Sequence, residues 1–374
     1  MGQNEIKLSR IVYNESSLVD KICTEAQKKT YHKKERFTGG STQKAFWDKL
    51  SCYCDYEYDP QTKKYKILDI FEYPKTVAEA KIHKGIYQYL TPMMLNELLF
   101  GKESKDRRLV FTALDLAKTI AMVNNNYNTV KFHQDEAHID LGFSKTVLSE
   151  YFNKADNRID DYIRRCIKYL QTMNCIIYNE VHMIGFLQKE FPLEDGRIVV
   201  EENRVVRVAT KDEMDLYSSI VEEASNRAKI RNNDEKWYGK KAAKYNTELT
   251  KLLKKHGIEF VCRAFEIYKV DEKRCKEILK SFADKTLEQR KYEVGYVLSA
   301  MMNTNAEIRL IKNPSLGNDY LDQFKRLSDI VMITNAPNIL PMMPSINNNP
   351  QDRLKKKYGY EIEYRVRRKD NETE

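Results

Sequence analysis

The stretch that most constrains the fold is residues 144–185, where helical periodicity changes directly into a β-branched strand. Upstream of Arg158 the pattern predicts a helix over 144–153, followed by a turn. A second helix then begins, and the strand at 175–177 leads into a hairpin. In this second helix the apolar residues recur at helical spacing and predict one core-facing side; they are Ile159, Ile163, Cys166, Leu170 and Met173.

Helix, turn, helix and hairpin is the order of a winged helix, whose second helix lies in the major groove of DNA. The basic residues Arg158, Arg164, Arg165 and Lys168 are therefore predicted to contact DNA. Arg165 and Lys168 lie three residues apart, so they can reach neighbouring sites. Asp160 and Asp161 lower the net charge of the same helix, and their position at its start favours the helix dipole.

The N-terminal region repeats this order on a smaller scale. A helix is predicted over 16–31, and a second one is predicted after Gly39-Gly40, with Ser41 or Thr42 as its cap. Alternating strands at 53–58 and 65–73 flank a turn at Pro60 and predict the hairpin. In this module the predicted DNA contacts are Lys33, Lys34 and Arg36 in the basic turn, Gln43 and Lys44 on the helix, and Lys63, Lys64 and Lys66 on the wing. Eight basic residues lie between Lys21 and Lys49, and the alternative is that they form an ordinary solvated helix face.

The predicted fold class is mainly α with β-hairpin wings (α+β), with two winged-helix domains. The predicted segments are a winged helix at 1–76, a helical connector at 77–106, a second winged helix with a long wing at 107–210, a helical module at 211–333, and a linker and basic tail at 334–374. Within the second domain we expect a helix over 107–123, a short strand at 129–132 and a short helix at 135–141.

Charge and composition favour a polyanion partner. The formal net charge is +9, and basic side chains that neutralise phosphates release counterions from DNA. The chain has no run of eighteen apolar residues and no apolar signal-peptide core near its start, so we expect a cytoplasmic protein without a membrane partner. Its seven scattered cysteines indicate reduced thiols, and Cys52 with Cys54 is too small a set for zinc. No metal or other cofactor is predicted.

Sequence signatures of catalysis are missing. There is no His-x-His pair of the kind that rolling-circle nickases use, and no glycine-rich phosphate loop followed by Lys and a hydroxyl residue. Asp55, Glu57 and Asp59 alternate along one predicted strand and could hold Mg²⁺ as a nuclease would. We favour the alternative, that they face solvent on the wing, and expect a protein that is not an enzyme.

Residues 39–74, GGSTQKAFWDKLSCYCDYEYDPQTKKYKILDIFEYP, carry a family resemblance. A helix near a Gly-x-Ser-x motif and a hairpin of the form K-Y-x-I-x-x-I-[YF], here residues 64–71, resemble DNA-binding and replication-initiation proteins of plasmids and phages from low-GC Gram-positive bacteria. The resemblance covers residues 16–73 and, in pattern only, 107–209.

The resemblance implies sequence-specific binding to double-stranded DNA of a mobile genetic element, in replication initiation or its control. Two alternatives stay open. One is a transcriptional repressor of the element, in which residues 211–305 would form a homodimer or effector module. The other is an adaptor or inhibitor without catalysis that binds a replication or transcription protein of the host.

Overall fold

The computed structural model describes residues 8–101, 109–190, 193–194, 197–236, 239–346 and 362–365. The chain divides into two compact units, and each is assembled from separate segments of sequence. Unit 1 comprises Met1–Leu99, Tyr162–Ile176 and Val270–Arg290, and unit 2 comprises Phe100–Asp161, Ile177–Lys269 and Lys291–Glu374. The fold is mixed α+β and mostly helical, with two small sheets.

The secondary structure begins with a short strand, a three-helix segment and a hairpin. The first elements are β1 (Val12–Asn14), α1 (Glu15–Ile22), α2 (Glu25–Lys34), α3 (Gly40–Tyr53), β2 (Cys54–Asp59), β3 (Lys64–Ile70), α4 (Val77–Ile82) and α5 (Tyr87–Phe100). The middle of the chain forms β4 (Leu109–Thr112), α6 (Ala113–Thr119), α7 (Asn126–Phe132), α8 (Gln134–Leu141), α9 (Lys145–Thr172), β5 (Ile176–Glu190), β6 (Leu193–Glu194) and β7 (Arg197–Val208). The remainder forms α10 (Lys211–Arg227), α11 (Gly239–Lys255), β8 (Ile258–Val270), α12 (Glu272–Lys280), α13 (Leu287–Lys312), α14 (Gly317–Met332) and β9 (Ile362–Arg365).

Strand β3 is the central strand of the sheet in unit 1, whose order is β1-β3-β2 with both pairings antiparallel. Its residues alternate, so Tyr65 and Ile67 are buried while Lys64 and Lys66 are exposed. The core beneath the sheet is contributed by all three helices, through Leu18, Val19, Ile22, Tyr31, Phe46 and Leu50. Each such side chain contributes roughly 1.5–3 kcal/mol by leaving water.

A hydrogen-bond network through Glu15 joins the helices to this sheet. The Glu15 carboxylate accepts from the Tyr31 hydroxyl at 3.1 Å and from the Tyr65 hydroxyl at 3.2 Å. Trp47 on α3 donates its indole N–H to the same Tyr65 oxygen at 2.9 Å. One residue of α1 is therefore linked to α2, to β3 and, through Tyr65, to α3.

The sheet of unit 2 has the strand order β4-β8-β5-β7-β6, and β9 pairs in parallel with β7. The order β4-β8-β5 matches β1-β3-β2. In each case the edge strand, β4 or β1, comes first in sequence. The other neighbour of the central strand, β5 or β2, follows helix α9 or α3. In unit 2, however, β6, β7, α10 and α11 lie between β5 and β8 in sequence. The strand that pairs with β4 is therefore about seventy residues further along the chain than a simple hairpin would place it.

The helix, turn and helix predicted for residues 144–172 is wrong, because α9 is one continuous helix of 28 residues. Residues 154–157 contain neither Gly nor Pro, and Ala155 is fully buried between Tyr151 and Ile159 on the same side of the helix. The apolar face therefore continues through the predicted turn. A turn does occur inside the helix predicted at 16–31, where Thr24 and Gln27 form a capping box that starts α2.

Other segment predictions are corrected as well. Residues 129–132 belong to helix α7 rather than a strand, and the helix predicted from 107 is preceded by strand β4, with Thr112 as its cap. The module predicted as helical over 211–333 contains the long strand β8. Helix α8 confirms the short helix predicted at 135–141.

The predicted linker from residue 334 is packed in its described part. Ile339 and Met343 are buried, Asn126 donates to the Pro337 carbonyl at 2.8 Å, and Ser345 donates to Asp140 at 2.7 Å. The Pro- and Asn-rich sequence is non-helical directly after α14, as predicted, but it packs against the protein instead of forming an exposed linker. The basic tail lies outside the described residues except for β9. Within the described ranges, no helix is both long and apolar enough to cross a bilayer.

Helices α13 and α14 approach each other at Gly295 in unit 2. A Cβ atom at this position would lie 2.1 Å from the Met332 carbonyl oxygen. We expect Gly295→Ala to lower the free energy of unfolding by about 1–3 kcal/mol, because the added methyl must displace backbone. Gly40→Ala is the control, since a Cβ there meets no atom within 4 Å. Urea unfolding measures both, and equal stability of Gly295→Ala and the parent would contradict the close approach.

Candidate nucleic-acid interface

Helix α3 presents a polar face beside the hairpin. Phe46 and Leu50 turn into the core, which leaves Ser41, Lys44 and Ala45 exposed in the first turns. Gln43, the other predicted contact on this helix, is half-buried. The solvent face of α3 therefore carries one cation, Lys44, together with small side chains that let another molecule approach closely.

The corner between α2 and α3 is basic. Helix α2 ends at Lys34, where Glu35 takes the left-handed conformation with φ of 52°. Lys33, Lys34 and Arg36 are all exposed around this corner. Cations in the last turn interact favourably with the negative end of the helix dipole, so Lys33 and Lys34 stabilise α2 whether or not they bind a partner. Arg36 lies beyond the helix, and that explanation does not apply to it.

The tip of the β2–β3 hairpin is a tight loop whose shape Asp59 fixes. The Asp59 carboxylate accepts from the Gln61 amide at 2.9 Å and from the Thr62 hydroxyl at 2.6 Å. These hydrogen bonds lower the pKa of Asp59. Lys63 follows with φ of 55°, in the left-handed region that favours glycine. Lys63, Lys64 and Lys66 are exposed along the tip and the outer face of β3.

Most of the predicted DNA-binding cations of the N-terminal module make no ion pair with a carboxylate. Three carboxylates elsewhere in unit 1 have partners: Asp69 with Arg10 at 2.5 Å, Asp48 with Lys81 at 2.5 Å and Asp20 with His32 at 2.6 Å. Glu35, in the basic corner, makes no ion pair among the described residues. Lys66 lies 3.9 Å from Glu57. The remaining predicted cations of this module make no ion pair among the described residues; they are Lys33, Lys34, Arg36, Lys44, Lys63 and Lys64. We call these six residues, together with the exposed side of α3, the α3 surface; its cations outnumber the two carboxylates next to them in sequence or register, Glu35 and Asp59.

The predicted contacts on α9 are divided between the units. Arg158 is exposed in unit 2, whereas Arg164, Arg165 and Lys168 belong to unit 1. Arg165 and Lys168 are exposed, but Arg164 is half-buried and its Nε atom is fully covered. All four were predicted to lie on one short helix after a turn. They lie instead on the continuous helix α9, whose two parts belong to different units.

A polar stripe in the first half of α9 was not predicted from the sequence. Thr146, Ser149, Asn153 and Asn157 are exposed at spacings of three and four residues, opposite the buried Val147, Leu148, Tyr151 and Phe152. Helices α13 and α14 cover another side, where Gln323 accepts from the Ser144 amide at 2.7 Å and Arg309 pairs with Glu150. The spacing of small polar residues would have revealed the stripe if 144–172 had been treated as one helix.

The described side chains show little that resembles a metal centre. No cluster of three or more His, Cys, Asp or Glu in the described residues could hold a metal ion. Burial raises the pKa of the Cys52 thiol, and that of Cys54 to about 12, which disfavours the thiolate that zinc needs. Asp55 and Glu57 each face a lysine, Lys84 at 3.5 Å and Lys66 at 3.9 Å, while Asp59 holds the hairpin turn.

Comparison with models of protein families, with curated proteins and with solved structures finds no match to this chain. The site is therefore interpreted from its own chemistry.

A substitution at Lys63, which has a left-handed backbone conformation, tests both the stability of the hairpin tip and the contribution of its charge to binding. We expect Lys63→Gly to raise the free energy of unfolding by about 1 kcal/mol, because glycine adopts this conformation without strain. The same change removes one exposed cation, so binding to a polyanion should weaken. Lys64→Gly is the matched control, since Lys64 lies in a strand and glycine there should destabilise. Thermal unfolding and heparin-column retention measure the two effects; lower stability of Lys63→Gly would contradict the strain.

Proposed function

We propose that this chain is a sequence-specific double-stranded DNA-binding protein of a mobile genetic element, acting in replication initiation or its control. The observation that carries the proposal is the α3 surface, where exposed cations that make no ion pair among the described residues lie before α3, on its polar side and on the hairpin that follows it. DNA-binding proteins need both parts, because cations on phosphates fix the register while a helix in the major groove reads the bases.

In this proposal the segment from β1 to β3 is a winged helix with α3 as its recognition helix. Lys44, in the first turns of α3, contacts base edges, where lysine pairs with the O6 and N7 atoms of guanine. Lys33, Lys34 and Arg36 contact phosphates at one end of α3, and Lys63 and Lys64 contact them from the hairpin. The strand order β1-β3-β2 supports this assignment because it lets β3 carry the hairpin while anchored on both edges.

Unit 2 contains a second winged helix in the same proposal, with α9 in the place of α3 and residues 177–257 inserted into its wing. The matching strand order β4-β8-β5 supports it. The exposed stripe of α9 then reads bases mainly through Asn153 and Asn157, since asparagine makes paired hydrogen bonds to adenine. Arg158 adds a phosphate contact.

Two reading modules on one chain favour initiation over repression. A repressor dimer reads a palindrome because its two-fold symmetry is mirrored in the site. A chain with two different recognition helices can read two different elements without a second copy. We therefore expect footprints on direct repeats rather than on palindromes, and a protected palindrome bound by a dimer would favour the repressor instead.

The test of base reading begins by selecting preferred duplexes from a random library with the full chain. Lys44→Ala should lose about 1–3 kcal/mol of affinity for the selected duplex and little for a scrambled one, because a base contact is removed. Lys63→Ala should weaken both duplexes alike and lower the slope of log affinity against log salt by about 0.9, because one phosphate contact is lost. Fluorescence anisotropy at several salt concentrations measures both.

Lys273→Ala is the matched control, because Lys273 is an exposed lysine on α12 and belongs to neither recognition helix nor hairpin. It should leave affinity and salt slope unchanged. If the Lys44 and Lys63 variants bind all duplexes as well as the parent does, DNA binding through the α3 surface is rejected, and the adaptor that binds a host protein becomes the better proposal.

A further inference from the structure

A second concentration of positive charge lies in unit 2, in a cavity between α9 and α13. The cavity has a volume of about 530 Å³, within the range of small-molecule sites. Its basic lining consists of Lys154 and Arg158 from α9 and of Arg309 and Lys312 from α13. The cavity was not predicted from the sequence, because the two pairs of cations are about 150 residues apart.

Acidic side chains balance only part of this charge. Lys154 and Arg309 both pair with one carboxylate, that of Glu150, with the Lys154 Nζ atom 3.8 Å from it. Asp161 is the acidic residue in the lining. Arg158 and Lys312 are exposed and make no ion pair among the described residues. Four cations therefore meet two carboxylates, and the cavity keeps a positive excess.

The surroundings of Lys154 disfavour its charged form. Burial lowers the pKa of the Lys154 ammonium, and the nearby Arg309 lowers it further, while Glu150 acts in the opposite direction. An anion in the cavity would offset both causes. The two guanidinium groups suit phosphate oxygens, which they can contact through paired hydrogen bonds.

The remaining lining residues fit a ligand with more than a phosphate chain. Asn157 and Asn305 supply amide donors and acceptors, while the exposed Ile308 and the buried Met302 form the apolar part of the lining. We propose that this cavity binds a nucleoside polyphosphate, with the phosphate chain on the four cations and the base against Met302 and Ile308. This site is separate from the α3 surface, so it is independent of DNA binding there, but it shares Asn157 and Arg158 with the proposed DNA-reading side of α9. Nucleotide and duplex DNA would therefore compete at α9.

The test is isothermal titration calorimetry of the full chain with ATP, GTP, adenosine and inorganic pyrophosphate. We expect ATP or GTP to bind, pyrophosphate to bind more weakly, and adenosine to show no binding. Lys312→Gln and Lys154→Gln should each weaken nucleotide affinity by about tenfold or more, as expected for loss of a charge-assisted hydrogen bond. Lys254→Gln is the control, because Lys254 is an exposed lysine of the same unit outside the cavity.

Thermal unfolding guards against a variant that simply fails to fold. Millimolar ATP should raise the Tm of the parent and of Lys254→Gln, and should raise that of the folded Lys312→Gln variant much less, because a ligand stabilises only the state that it binds. Absence of nucleotide binding, or binding that Lys312→Gln and Lys154→Gln leave intact, would overturn the proposal. It is equally overturned if these variants weaken duplex DNA binding while ATP neither binds nor competes, since the cavity would then serve the DNA backbone.

Discussion

The interaction on which the N-terminal surface depends is the hydrogen-bond network of Glu15, Tyr31, Tyr65 and Trp47. Tyr65 is fully buried at the centre of β3, and its hydroxyl joins α1 and α3. Burial raises the pKa of Tyr65, and that of Tyr31 to about 12, so both phenols remain donors at neutral pH. A buried polar network is stabilising only when it is satisfied, and here each hydroxyl has its partner. The network links α1, α2, α3 and β3, and the proposed DNA reading by α3 would depend on this linkage.

The same strand order in both units suggests one structural rule used twice. In each unit a short strand, β1 or β4, pairs with a later strand, β3 or β8, whose other edge pairs with the strand that follows the helix, β2 or β5. Strands β3 and β8 therefore have no open edge. In unit 2 helices α10 and α11, which lie between β5 and β8 in sequence, pack on these strands in a small core that includes Ile184, Ile220, Leu252 and Ile258. Gly185 leaves room for the ring of Phe260, because a Cβ atom at this position would force the ring to move. Long insertions cost little loop entropy once their ends are fixed in a sheet.

Charge has two distinct arrangements in this protein. On the α3 surface the cations are exposed and spread over a loop, a helix and a hairpin, which suits the long, uniform charge of a duplex. In the cavity of unit 2 four cations line one volume of about 530 Å³, with Lys154 and Arg309 half-buried and Arg158 and Lys312 exposed, which suits a compact anion. Net charge alone does not separate these cases, because both contribute to the same positive sum of +9.

The sequence by itself determined the local features of the N-terminal module. The α3 helix, the hairpin and the exposed lysines follow from short-range signals such as the Gly39-Gly40 break, strand alternation and the turn at Pro60. Only the tertiary structure decided that α9 runs unbroken, that β8 rather than a nearby strand pairs with β4, and that Arg309 and Lys312 meet Lys154 and Arg158. Local propensity acts over a few residues, whereas these outcomes depend on which distant apolar faces bury each other, and a single sequence does not record those pairings.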